Sequence, residues 1–147
     1  MKRNTKCMKI KIKKLAPNAV VPTRAHKTDA GFDLYASSSV NVPARGRVLV
    51  PTDIAMEIPD GYFGLVTGRS GLTIREGIVG QVGIIDSGYR NGIGIMMFSH
   101  KDIDYEIPQG TRCGQILILP LADVEELVES DELSETDRNG GFGSTGR

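Results

Sequence analysis

The chain holds little of what several protein classes depend on. Its 147 residues include only two cysteines, Cys7 and Cys113. That excludes a disulfide-stapled scaffold and reads as reduced thiols of a cytosolic-type compartment. Net charge is also missing: 18 Lys and Arg stand against 18 Asp and Glu. A uniformly basic nucleic-acid coat and an acidic tail protein are therefore excluded, and no stable nucleic-acid binding is expected. No apolar run approaches the ~18 residues of a membrane span. The basic opening, MKRNTKCMKIKIKKLAP, lacks the apolar stretch of a secretory signal. A soluble protein of the cytoplasm, in a cell or in a host cell, is expected, with no membrane partner. No internal repeat and no long linker interrupt the chain, so it reads as one domain. Only two histidines occur, His26 and His100, and neither is assigned a role.

Glycine and proline, by contrast, are plentiful, at 18 and 7 residues, too many for a helical bundle of this length. Residues of apolar type make up 39% of the chain, enough for a real core. Met8, Ile10 and Ile12 alternate with Lys9, Lys11 and Lys13, which predicts a half-buried strand with its lysines outward. Further strands are predicted over 32–36, 47–50, 53–58, 62–67, 78–85, 93–98, 105–107 and 112–119. Turn signals separate them at Pro43, Pro51, Pro59-Asp60-Gly61, Asn91-Gly92 and Pro108-Gln109-Gly110. Many short strands with Gly and Pro turns predict an all-β sandwich, barrel or jelly roll. One short helix is predicted over 70–76. Val124, Leu127 and Val128 have helical spacing over about one turn, which leaves helix and strand both open.

The two ends differ in charge. Residues 1–14 hold seven Lys or Arg and no acid, and residues 123–137 hold eight Asp or Glu and no base. The basic start reads either as a nucleic-acid arm or as a solvated strand face, the acidic stretch as a solvated face, and the two ends could attract each other, within or between subunits. The last ten residues, Arg138 to Arg147, are Gly-rich and have too little apolar surface to offset their ordering entropy. Phe142 stands among them with nothing local to pack on. The stretch reads either as a frayed terminus or as a flexible clamp for a ligand with a phosphate end and a flat apolar end.

Three other segments carry unusual choices. Asp29-Ala30-Gly31-Phe32-Asp33-Leu34-Tyr35-Ala36 puts an acid inside a strand. Gly68-Arg69-Ser70-Gly71-Leu72 follows a strand and opens a helix, a position suited to phosphate oxygens. Gly83-Ile84-Ile85-Asp86-Ser87-Gly88-Tyr89-Arg90 puts Asp86 where an apolar strand enters a turn, as a turn cap or a working base. Cys113 reads as a buried strand position.

In order, these segments resemble the motifs of the trimeric dUTPase (dUTP nucleotidohydrolase) family. The five are Ala30–Leu34, Gly68–Leu72, Gly83–Arg90, Arg112-Cys113-Gly114-Gln115-Ile116, and Arg138–Gly146. The resemblance implies a jelly-roll-like β subunit over 1–137 with a flexible C-terminal arm at 138–147. It also implies a homotrimer with active sites between subunits, and hydrolysis of dUTP to dUMP and pyrophosphate. Mg2+ would be held by the substrate phosphates rather than directly by protein. By motif position Asp86 would activate the attacking water, Asp33 would meet the hydrated Mg2+, and Gln115 would lie near the reacting centre. Arg69, Ser70 and Gly71 would hold phosphate oxygens. Backbone groups of a hairpin around Gly80 to Gly83 would read uracil, and Tyr89 would select deoxyribose. Phe142 would stack on uracil, Gly143 would belong to the substrate-binding residues, and Arg138, Ser144 and Thr145 would close over the outer phosphates.

The chain departs from the usual pattern at Gly88, where Asp is common, at Gly68, where Pro is common, at Thr73, and in a short Arg138 to Phe142 spacing. Two other readings remain: a dCTP deaminase of the same superfamily, and a nucleotide-binding regulatory domain without catalysis. The deaminase would need a carboxylate in the stretch Gly92 to Ser99, which contains none.

Overall fold

A computed structural model describes residues 7–137. Among them the order is β1 (Lys11–Lys14), β2 (Phe32–Tyr35), β3 (Val40–Val42), β4 (Arg47–Glu57), β5 (Tyr62–Gly68), α1 (Ser70–Glu76), β6 (Ile78–Gly80), β7 (Gly83–Ile85), β8 (Ile93–Ser99), β9 (Tyr105–Ile107) and β10 (Arg112–Pro120). Two four-stranded sheets, ordered β1-β4-β8-β6 and β2-β10-β5-β7, are joined by a β3-β9 ribbon. Every ladder is antiparallel. This is the jelly-roll-like all-β class expected from the sequence.

Alternation fixes which side of each strand is buried. In β8, Ile93, Ile95, Met97 and Ser99 are buried and the residues between them are half-buried. Ile93, Ile95 and Met97 share one core with Val50 and Ile54 of β4 and with Leu34, Val66, Cys113 and Ile116 of the other sheet. The sheets meet tightly at Gly114, where an added Cβ would fall 2.5 Å from Ile95 Cδ1. Each fully buried aliphatic side chain contributes roughly 1.5–3 kcal/mol, so this seam is the main source of the fold's stability.

Several expectations need correction. Pro51 is not a turn between two strands: β4 runs through it, pairing Pro51 with Gly94. The register shifts between Pro51 and Ile54, and Asp53 adopts φ 50. A bulge tolerates a proline that cannot donate to a ladder. Thr52 is buried there, donating to the Ile93 carbonyl at 2.6 Å. The stretch 78–85 is two strands in different sheets, since β6 pairs with β8 and β7 with β5. It therefore forms no hairpin around Gly80 to Gly83. The crossing is possible because Gly68 and Gly80 touch backbone to backbone; a Cβ on Gly80 would lie 2.5 Å from Gly68 Cα. Asn91-Gly92 likewise joins β7 and β8, which do not pair. Strand β3 was not anticipated. Residues 124–128 form neither helix nor strand, and Val124, Leu127 and Val128 are 62%, 90% and 76% exposed.

Candidate active site

Strand register gathers the first group of candidates. Asp33 on β2 lies opposite Gln115 on β10, and Gln115 lies opposite Thr67 on β5. Antiparallel partners share a face, and Leu34, the next residue along β2, points into the core. Asp33 and Gln115 are thus fixed side by side on the outer face. One residue beyond β5, Arg69 is extended, with φ −107 and ψ 134, and leads into α1. Ser70 and Gly71 form the first turn, which no side chain caps.

These residues line a cleft of about 390 Å³ together with Gly31, Asp29 and Arg112. Arg69 Nε lies 3.6 Å from Asp33 Oδ1, and Arg112 Nη1 lies 3.6 Å from Asp33 Oδ2. Arg69 also donates to the Arg112 carbonyl at 3.3 Å. The Asp29 carboxylate accepts the His26 N–H at 2.9 Å and so acts as a turn cap. Gly31 leaves room for the glutamine, since a Cβ there would sit 2.5 Å from Gln115 Oε1. Two guanidiniums, a serine and an amide opening into one cleft suit an anion with several oxygens.

Asp86 and Tyr89 lie elsewhere. Asp86 follows β7 and borders a separate hollow of about 320 Å³ with Phe63, Ile84 and Leu121. No residue lines both hollows. β2 and β7 are opposite edges of one sheet, three strand spacings apart, or roughly 14 Å at ~4.8 Å per spacing. The single chain therefore does not bring Asp86 to Asp33 and Gln115, although the motif order groups them. Local bonds shape the Asp86 loop. Tyr89 N–H donates to the Asp86 carbonyl at 3.0 Å, Tyr89 Oη donates to the Gly92 carbonyl at 3.0 Å, and Arg90 donates to the Ser87 carbonyl at 2.6 Å. The exposed Asp86 carboxylate accepts no hydrogen bond from the described residues. Gly83 pairs with Val66, and Val82 and Ile84 beside it are 55% and 58% exposed.

Arg138, Phe142, Gly143, Ser144 and Thr145 lie outside the described residues. Cys113 is fully buried, as read from sequence; burial pushes its thiol up to about 11, against a weaker opposing effect of its own backbone hydrogen bond and of Arg69. His26 and His100 are exposed and line neither hollow. Arg112, the first residue of the fourth motif, and Asp29, just before the first motif, also belong to the cleft. Arg112 stands three positions before Gln115, so strict alternation assigns it to the opposite face, and its spacing gives no signal for the cleft. Among the described residues no group of three or more His, Cys, Asp or Glu side chains is placed to hold a metal ion. The donor set of the cleft fits a cation carried by phosphate oxygens and reaching Asp33 through water, since carboxylate and guanidiniums sit together there.

The family model for dUTPase matches residues 17–146. The chain belongs to the dUTPase family. These are hydrolases of nucleotide metabolism, so the chain is of an enzyme family. The deoxyuridine 5'-triphosphate nucleotidohydrolase of Arabidopsis thaliana is 42% identical over 137 residues, which are 92% of this chain and 82% of that protein. That of Kluyveromyces lactis is 39% identical over 139 residues, or 94% of each chain. A mitochondrial one from Dictyostelium discoideum is 42% identical over 137 residues, covering 92% of this chain and 76% of that protein. Among solved structures, the Staphylococcus bacteriophage 80alpha dUTPase with dUpNHpp superposes with TM-score 0.89 at 31% identity, covering 94% of this chain and 98% of that one. A mutant dUTPase of phage phi11, described for its coordination of a structural Mg(II) ion, gives TM-score 0.79 at 29% identity over 85% of this chain and 98% of that one. No helix among the described residues is long and apolar enough to cross a membrane.

Proposed function

We propose that the protein hydrolyses dUTP to dUMP and pyrophosphate, in a homotrimer whose active sites form between subunits. The observation that carries this reading is the division of the family motifs: an arginine-rich cleft on one edge of a sheet, and an unpartnered carboxylate beside an apolar hollow on the other. Neither half is a complete site. A second copy that presents its Asp86 loop to the cleft supplies the missing group.

In that arrangement Arg69, Ser70 and Gly71 hold phosphate oxygens, and Gln115 orients the α-phosphate. Asp86 accepts a proton from water as its oxygen bonds to the α-phosphorus; the bond from that phosphorus to the bridging oxygen breaks, and pyrophosphate leaves. Positioning and charge stabilisation supply most of the rate for such a reaction. Asp33 would meet, through water, a Mg2+ ion carried by the triphosphate, and that ion would offset part of the phosphate charge. The backbone at Gly83 reads the uracil edge, where a mismatched base would leave buried polar groups unpaired. Tyr89 packs where a 2′-hydroxyl would sit. Arg138, Phe142, Gly143, Ser144 and Thr145 close over base and phosphates. Hydrolysis in the cytoplasm would limit uracil in DNA and supply dUMP.

A panel of dUTP, dCTP, dTTP and UTP with and without Mg2+ tests this. Pyrophosphate release from dUTP alone, dependent on the metal, is expected. Ammonia from dCTP would replace the reading with deamination, and tight dUTP binding without turnover would replace it with a regulatory domain.

A further inference from the structure

We infer that Arg112 is a positioning residue: it acts on Arg69 through the carboxylate they share, Asp33, and so sets how firmly the cleft holds a polyphosphate. The inference rests on the proposed reaction.

Strict alternation would put Arg112 on the opposite face of β10 from Gln115, because the two are an odd number of positions apart. The ladder with β2 breaks that rule. Gln115 pairs with Asp33 and Gly114 with Leu34, but Arg112 pairs with Tyr35, the register shifting between Arg112 and Gly114. Cys113 is the extra residue, and both Cys113 and Gly114 are buried. The bulge therefore returns Arg112 to the outward face that carries Asp33 and Gln115. Bulges of this kind re-aim side chains next to sites.

The re-aimed guanidinium meets a carboxylate that is already engaged. Asp33, with its side chain 20% exposed, has Arg69 at 3.6 Å on one oxygen and Arg112 at 3.6 Å on the other. Together the three groups carry one excess positive charge, and neither arginine is drawn into a close pair. Without Arg112, Asp33 has Arg69 alone. The carboxylate then cancels the charge of Arg69 and draws it from Ser70 and Gly71. The main-chain hold of the Arg112 carbonyl on Arg69 survives any substitution at 112, so a variant reports on the charge alone.

The test uses the full chain in metal-free buffer, so that the proposed metal contact of Asp33 does not enter. Affinities for dUpNHpp and for deoxyuridine, which has no phosphate, are measured for wild type, Arg112→Lys, Arg112→Gln and Asp33→Asn/Arg112→Gln. Arg112→Gln is expected to weaken dUpNHpp about tenfold and leave deoxyuridine unchanged. Arg112→Lys retains most of the affinity. The double variant releases Arg69 and recovers dUpNHpp binding to within about threefold of wild type, a non-additive result. A double variant as weak as Arg112→Gln, or weaker, overturns the inference, because Arg112 then touches phosphate itself. Equal losses for dUpNHpp and deoxyuridine overturn it as well, in favour of a structural role. A wild-type chain that binds neither ligand would sink the proposed function, and this inference with it.

Discussion

The arginine cleft and the Asp86 loop are built on different principles. The cleft sits on ladder strands: Asp33, Gln115 and the end of β5 are tied by pairing between residues far apart in sequence. The loop is tied by bonds between residues no more than three apart. Global folding therefore sets the anion half, whereas short-range turn chemistry sets the half that carries the proposed base. The first is organised before any ligand arrives. The second presents to solvent a carboxylate that accepts no hydrogen bond from the described residues.

The largest expected effect falls on the loop. Asp86→Asn should lower turnover by roughly 10²–10⁴, the usual contribution of a general base, while dUpNHpp binding persists. Its melting temperature should hardly move, since exposed substitutions away from structural contacts change stability by about 0.5 kcal/mol or less. Steady-state kinetics and thermal melts on one preparation check both; full activity would remove Asp86 from its role. The next effect lies where the halves join. Gly80→Ala puts a methyl 2.5 Å from Gly68 Cα and 2.7 Å from its nitrogen. Backbone must shift, at about 1–3 kcal/mol, and both dUpNHpp affinity and turnover should fall. Urea melts alongside kinetics would show whether only one half responds, which would make the junction irrelevant to the other.

Tyr89→Ala should relax discrimination against UTP about tenfold, with dUTP turnover less affected, as expected if the ring forms a steric wall. Competition between dUTP and UTP measures it, and unchanged selectivity would argue that the ring only shapes the turn. The smallest effect concerns Cys113. Its thiol is raised from 9.0 to about 11 by burial. Burial thus favours the protonated form, and the associated stability is fully present below pH 9. It declines as pH rises toward about 11, because the unfolded chain releases its proton first. Urea midpoints across that window should fall in wild type more steeply than in Cys113→Ala, and a thiol reagent at neutral pH should leave Cys113 untouched until the protein unfolds.

Much of the architecture was legible because alternation and turn residues act locally. Helix α1 and strand β9 coincide with their predicted spans, and β10 differs by one residue. Failures came where tertiary contacts decide. Pro51 has the look of a strand end, yet Thr52 and Asp53 absorb it in a bulge. Residues 78–85 have one unbroken apolar pattern, and only the meeting of Gly68 with Gly80 divides it. Motif order located the residues of the cleft but not their separation from Asp86, since spacing along a chain does not encode which edge of a sheet a strand occupies. Arg112 was obscured for a related reason: alternation gives it the wrong face, and a bulge is invisible without its partner strand.

Two hollows on one chain share no lining residue, and on the proposed trimeric reading activity becomes a joint possession. On the proposed reading, an Asp86→Asn chain still offers a sound cleft, and an Arg69→Gln chain still offers a sound carboxylate. Two inactive preparations, unfolded together and allowed to reassemble at random, should regain up to about a quarter of the native rate, because that share of the junctions draws each intact half from a different parent.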